Sequence, residues 1–169
     1  KTLSELKSNG LINNIGVSVY TNTQLESLIN EDLITVVQLP FNLLDNESLR
    51  GDLLRKAKNK GIEVQVRSVF LQGLFFMKPE SLPLNLIKLK PELKQLHNLA
   101  IDNSISMSEM ALGYVLSKSY IDKIVIGVDS VVQLKSNINA SKTQLDVSII
   151  REIDSIITQD KNLLNPINW

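Results

Sequence analysis

Gly61-Ile-Glu-Val-Gln-Val-Arg-Ser68 alternates apolar Ile62, Val64 and Val66 with polar Glu63, Gln65 and Arg67. A period of two marks a β-strand, and a glycine just before it marks the end of a helix. Leu49, Leu53, Leu54 and Ala57 supply that helix, one apolar stripe ending at Gly61. Three further runs read as strands: Ile15–Val19, Leu33–Leu39 ended by Pro40, and Lys123–Ile126 closed by Gly127.

Helical patterns fill the intervals. Leu3 and Leu6 share a face, with Gly10 at the C-cap position. Thr21 with Gln24, Ser106 with Glu109, and Ser130 with Gln133 are spaced as capping boxes. Leu89, Leu93, Leu96 and Ala100 form another stripe, and Ile150, Ile153 and Ile157 a last one. The order is α-β-α-β-α-β-α-α-β-α-α. Strands separated by helices imply right-handed βαβ crossovers and a parallel α/β sheet.

Composition narrows the function classes. The chain has 169 residues, 43% hydrophobic and 21% charged, with 18 Lys and Arg against 18 Asp and Glu. High apolar content and no net charge exclude disorder and weigh against a nucleic-acid binder. The absence of Cys removes disulfides and thiolate chemistry, and a single His, His97, excludes a two-His metal centre. His97 is expected to be a solvated helix residue. No apolar run reaches the ~18 residues of a membrane span, and no signal-peptide pattern opens the chain, so a cytoplasmic protein is expected. The chain opens Lys-Thr-Leu without Met, as if cut from something longer.

One domain over 1–169 is expected, with a long loop at 70–87 and a C-terminal helix and tail at 146–169. The loop carries Phe75, Phe76, Met77, Pro79 and Pro83 and follows a strand's C-terminal end. It reads equally as a ligand loop or as a variable surface loop. The glycines form no GxGxxG, and no P-loop, HExxH or GxSxG is present. Polar residues instead gather at strand ends: Ser18, Gln38 with Asn42, Arg67 with Ser68, and Gly127 with Ser130. In a parallel sheet these ends share one rim. Donors plus one cation suit a neutral carboxamide and phosphates. Plain helix capping for Ser130, and solvated strand ends for Gln38 and Arg67, are the alternatives.

The same residues carry a family resemblance. Gly10-Leu-Ile-Asn-Asn-Ile-Gly-Val-Ser18 resembles the GLIRxIGVS segment of aldo/keto reductases. Val37–Asn42 resembles their VQxxYN, Arg67–Leu74 their RSPLxQGLL, and Ile126–Asn137 their IPGASSxEQLxxN. Asn165-Pro-Ile-Asn-Trp169 is similar to a frequent ending. The resemblance implies a (β/α)8 TIM barrel that reduces a small-molecule carbonyl substrate with NADP, with NAD as the alternative. It implies that Ser18 and Gln38 hold the nicotinamide carboxamide and that Arg67 lies against the nicotinamide ring. It assigns Ser68, Leu71, Gln72 and Gly73 to the pyrophosphate, and Gly127, Ser130, Gln133 and Asn137 to the adenosine end. There are departures: Val19 where many members have Asn, Val69 for Pro, Gln133 where some branches have Arg, and Asp129 near the expected 2′-phosphate.

A full barrel takes roughly 250 residues, so four strands in 169 residues imply slightly more than half of one. The family's catalytic Asp, Tyr, Lys and His come from its first four βα units. The chain therefore aligns with the cofactor-binding half, and no catalytic residue carries over. In isolation it is expected to be inactive, with the missing N-terminal half-barrel, or a second copy in a dimer, as partner. A non-catalytic nucleotide-binding or assembly module is the competing reading. A barrel-like scaffold that has lost function is a weaker third.

Overall fold

The computed structural model describes residues 2–169. The chain runs α1 (Thr2–Ser8), β1 (Gly16–Ser18), α2 (Asn22–Ile29), β2 (Val36–Pro40), α3 (Glu47–Asn59), β3 (Glu63–Arg67), α4 (Lys90–Asp102), α5 (Met107–Leu116), β4 (Lys123–Ile124), α6 (Val131–Ala140) and α7 (Val147–Ser155). The four strands form one parallel sheet in the order β1-β2-β3-β4. This is the α/β order expected from hydrophobic periodicity. Three short 3-10 helices, Leu71–Phe76, Pro79–Ser81 and Leu84–Leu89, occupy the segment between β3 and α4.

The strands are shorter than their apolar runs. Leu33 and Ile34 precede β2, because Ile34 N donates to Glu31 O (3.0 Å) in a turn. Val125 N still donates to Val66 O (2.8 Å), yet the β4 ladder ends at Ile124. The helix ends follow the sequence more closely. Gly61 has φ +79°, its N–H donates to Lys58 O (2.9 Å), and Ile62 N donates to Ala57 O (3.1 Å). That is a Schellman motif, and the left-handed residue it requires is why glycine stands there. Thr21 and Ser106 make complete capping boxes with Gln24 and Glu109. At α6 the third box is only half made. Ser130 Oγ accepts from Gln133 N (3.1 Å), but Gln133 Oε1 accepts from Asp129 N (2.7 Å), one residue further out.

Strand alternation divides the sheet into two faces. Val37, Leu39, Val64 and Val66 are fully buried in a core with Leu53, Leu54 and Ala57 of α3. The other parity is half-buried and polar on the two central strands: Gln38, Glu63, Gln65 and Arg67. Its side chains bond one another. Gln38 Nε2 donates to Gln65 Oε1 (3.3 Å), Gln65 Nε2 donates to Glu63 Oε1 (2.6 Å), and Lys123 Nζ donates to the same oxygen (2.9 Å).

The turn after β2 ties the elements together. Asn42, Asp45 and Asn46 are all buried. Asn42 Oδ1 accepts from Leu44 N (3.0 Å) and Asp45 N (2.9 Å), and its Nδ2 donates to Ser68 O (3.1 Å). Asn46 caps α3 through Ser48 N (3.1 Å) and donates to Ile153 O (2.8 Å) and Ile156 O (3.0 Å) at the end of α7. Asp45 receives a bidentate pair from Arg50 (2.6 and 2.9 Å). Arg50 also donates to Asn22 Oδ1 (2.8 Å) and Tyr20 O (2.7 Å), reaching the end of β1. Burial pushes the Asp45 carboxyl up, opposed by the Arg50 guanidinium.

A second network joins α3, α5 and α7. Tyr114 OH donates to Asp154 Oδ1 (2.6 Å) and accepts from Glu47 N (3.0 Å). Lys118 Nζ donates to both Asp154 oxygens (2.7 and 2.9 Å). The Glu47 carboxylate meets Tyr120 OH and Arg55. Burial pushes the Tyr114 and Tyr120 phenols well above their ordinary range. Burial also raises the Glu47 carboxyl, but its bonds to Tyr120 and Arg55 more than offset this, and the net shift is downward.

Two outcomes are expected. Arg50→Met leaves Asp45 buried without its partner and costs about 3–5 kcal/mol in denaturant unfolding. Replacing Asp45 by Leu in the same chain recovers most of that loss, and a single variant as stable as the parent would contradict the pairing. Glu47, lowered in the folded state, contributes stability that is present above its ordinary value of 4.5 and lost as pH falls through its folded value. The Tm therefore drops as pH falls below about 4.5, and Tyr120→Phe flattens that drop.

Candidate functional site

The carboxyl end of β3 opens into a cavity of about 490 Å³ bounded by β4 and the start of α6, within the size range of ligand sites. Six expected residues line it: Arg67, Ser68, Gln72, Gly73, Gly127 and Gln133. They come from two separate stretches of the chain, 67–73 and 127–133. The parallel register brings them together, since β3 and β4 are neighbours and both point their carboxyl ends the same way.

The backbone after β3 is unusual. Ser68 (φ +58°), Leu71 (φ +44°), Gln72 (φ +54°) and Gly73 (φ +83°) all lie in the left-handed region. Three of them are not glycine, which costs about 1–3 kcal/mol each and persists only where surrounding contacts over-determine it. Those contacts are visible. Ser68 O accepts from Asn42 Nδ2 and from Leu71 N (2.9 Å), and Gly73 N donates to Phe70 O (2.9 Å). The Leu71 side chain is fully buried in the core. It anchors the loop, so any part it takes in binding is through its backbone. Phe70 and Phe76 pack with ring centroids 5.5 Å apart and make an apolar wall of the groove.

Arg67 is held from two sides. Its guanidinium carbon lies 4.3 Å from the centroid of the Tyr20 ring, and its Nη1 donates to Ser68 Oγ (3.4 Å). Stacking leaves the other face of the guanidinium plane available. Nothing in the sequence signals the Tyr20 contact, because the two residues meet only through strand pairing.

The remaining expected residues sit apart from the groove. Ser18, exposed on β1, and Gln38, half-buried on β2, are register partners. Two residues further along β2, Pro40 faces Arg67. Ser130 caps α6 through its side chain. Asn137, one turn beyond Gln133, is buried, and its Nδ2 has no hydrogen-bond partner. His97 departs from the expectation of a solvated residue: it is half-buried and hydrogen-bonded to Phe75 O (3.0 Å), which pins the loop to α4. Phe70 and Tyr20 are the site residues that sequence reasoning did not single out. Among the described residues no cluster of His, Cys, Asp and Glu could hold a metal, and no helix is long and apolar enough to cross a membrane.

Comparison with known proteins gives a consistent answer. The chain is 24% identical over 168 residues to the NADH-specific methylglyoxal reductase of Escherichia coli (strain K12), covering 89% of this chain and 51% of that protein. It is 31% identical over 132 residues to the L-galactose dehydrogenase of Arabidopsis thaliana, covering 72% of this chain and 40% of that protein. The aldo-keto reductase AKR11C1 from Bacillus halodurans superposes with a TM-score of 0.73 at 21% identity, over 93% of this chain and 56% of that chain. The four βα units thus share the fold of about half of a TIM barrel. The chain spans about half the length of the curated relatives it matches. A sequence model of the aldo/keto reductase family matches residues 1–158, and with the strand order and the rim groove already in place, the chain belongs to that family.

Proposed function

We propose that this chain is the nucleotide clamp of an NAD(P)H-dependent oxidoreductase that reduces a small-molecule carbonyl to an alcohol. The observation that carries the reading is the gathering of Arg67, Ser68, Gln72, Gly73, Gly127 and Gln133 around one groove at the carboxyl rim of a parallel sheet. The donor set fits a dinucleotide. Ser68 and Gln72 offer neutral hydrogen bonds, Arg67 a single cation, and Phe70 with Phe76 an apolar wall. The buried Asn137 amide, with an unused Nδ2, supports a role toward the adenosine end.

In this reading Ser18 and Gln38 hold the carboxamide, and Arg67 covers the nicotinamide with the face not taken by Tyr20. Ser68, the Leu71 backbone, Gln72 and Gly73 hold the pyrophosphate. Gly127, Ser130, Gln133 and Asn137 hold the adenosine end. The bound nicotinamide supplies the hydride. The chain's own residues bind and orient that ring, and the Phe70–Phe76 wall keeps water from it. The proton donor belongs to the half-barrel that this chain does not supply.

The partner is that N-terminal half-barrel or a second copy of the chain. β1 pairs only with β2 and β4 only with β3 among the described residues, so both edges of the sheet carry free backbone groups. Beside the β4 edge, α6 exposes Val131, Val132, Leu134 and Ile138. A binding or assembly module without catalysis uses the same features, and turnover separates the two readings.

The chain is expected to bind reduced nicotinamide nucleotide saturably, followed by nicotinamide fluorescence. Arg67→Ala weakens binding about tenfold, a stacked charge being worth 1–2 kcal/mol. The chain alone turns over no generic aldehyde and scatters light as more than a monomer at micromolar concentration. No binding would remove the clamp reading, and turnover by the isolated chain would remove the missing-donor reading.

A further inference from the structure

Charge is distributed unevenly along the groove. Arg67, at the β3 end, is the only Lys or Arg among the lining residues. Asp129, in the turn just before α6, lines the same groove. Asp129 is exposed and forms no ion pair among the described residues. Its backbone is fixed, because Asp129 N donates to Gln133 Oε1 (2.7 Å) while Gln133 N donates to Ser130 Oγ (3.1 Å). The Gln133 carboxamide oxygen is therefore already engaged. The first turn of α6 exposes Val131 and Val132 where a cation would be needed to meet a phosphate.

We infer that this groove selects NADH over NADPH and that Asp129 is the residue that discriminates. The inference rests on the nucleotide-clamp reading, and it reverses the NADP expectation drawn from the family resemblance. The two cofactors differ only at the adenosine ribose, which carries a 2′-hydroxyl in one and a 2′-phosphate in the other. A carboxylate accepts a hydrogen bond from the hydroxyl. A phosphomonoester carries nearly two negative charges at neutral pH and only acceptor oxygens, so the same carboxylate repels it. Arg67, the groove's single cation, is already engaged by the Tyr20 ring and Ser68 Oγ. Even with solvent between them, repulsion of this size shifts affinity by about tenfold at low salt.

The test is a pair of fluorescence titrations of the 169-residue chain, with NADH and with NADPH at low salt. NADH is expected to bind about tenfold more tightly. Asp129→Asn narrows the gap, chiefly by improving NADPH, and Asp129→Lys turns the preference toward NADPH. Among the described residues the Asp129 side chain makes no hydrogen bond, and its capping contact is through the backbone, so both variants fold, and an unchanged Tm checks this. Equal or tighter binding of NADPH by the unmodified chain overturns the inference while leaving the clamp standing. A preference for NADH that Asp129→Lys leaves unmoved overturns the role given to Asp129. Failure to bind either nucleotide overturns the clamp, and this inference with it.

Discussion

Asn42, Asp45 and Asn46, within six residues after β2, make hydrogen bonds on which four separate parts of the molecule depend. Asn42 reaches the left-handed loop after β3, Asp45 through Arg50 reaches the end of β1, and Asn46 starts α3 while closing the end of α7. All three are buried. A buried polar group without a partner costs roughly 1–3 kcal/mol, so each bond constrains the others. The loop that bears Ser68, Gln72 and Gly73 can hold three non-glycine residues at positive φ because its carbonyl is tied to such an anchor.

The sheet and its helices divide the labour. One face, with Val37, Leu39, Val64 and Val66, is sealed against α3 and forms the core. The other carries Gln38, Gln65, Glu63 and Lys123 in a hydrogen-bonded row that neutralises its own charge. Such a row tolerates half-burial, because its side chains bond in sequence and the Glu63 carboxylate is paired with Lys123. The network of Tyr114, Asp154, Lys118 and Glu47 does the same work on the helical side, where Tyr114 also stacks on Phe41 at 5.7 Å. Burial raises the Tyr114 and Tyr120 phenols, which donate to the Asp154 and Glu47 carboxylates.

Much of the fold was legible because its signals are local. The alternation Ile62–Arg67, the Schellman glycine Gly61 and the capping pairs Thr21–Gln24 and Ser106–Glu109 act within a few residues. Where a signal was local but ambiguous, the reading slipped. Leu33 and Ile34 look like strand but serve a turn, and Gln133 matches a capping box but reaches past Ser130 to Asp129. His97 looked solvated on its helix because its partner, Phe75 O, lies on a loop whose path the sequence does not disclose.

The sequence by itself determined the order of elements, the parallel sheet and the set of polar residues at strand ends, because periodicity and capping are near-neighbour effects. The tertiary structure decided which of those residues share a groove. It drew Arg67, Ser68, Gln72, Gly73, Gly127 and Gln133 together, placed Ser18 and Gln38 on the sheet face, and buried the Leu71 side chain. It also stacked Tyr20 on Arg67 and left Asp129 in the groove without an ion pair among the described residues. These are consequences of strand register and chain crossing. They depend on contacts between residues far apart in sequence, whose energies exist only once the sheet has formed.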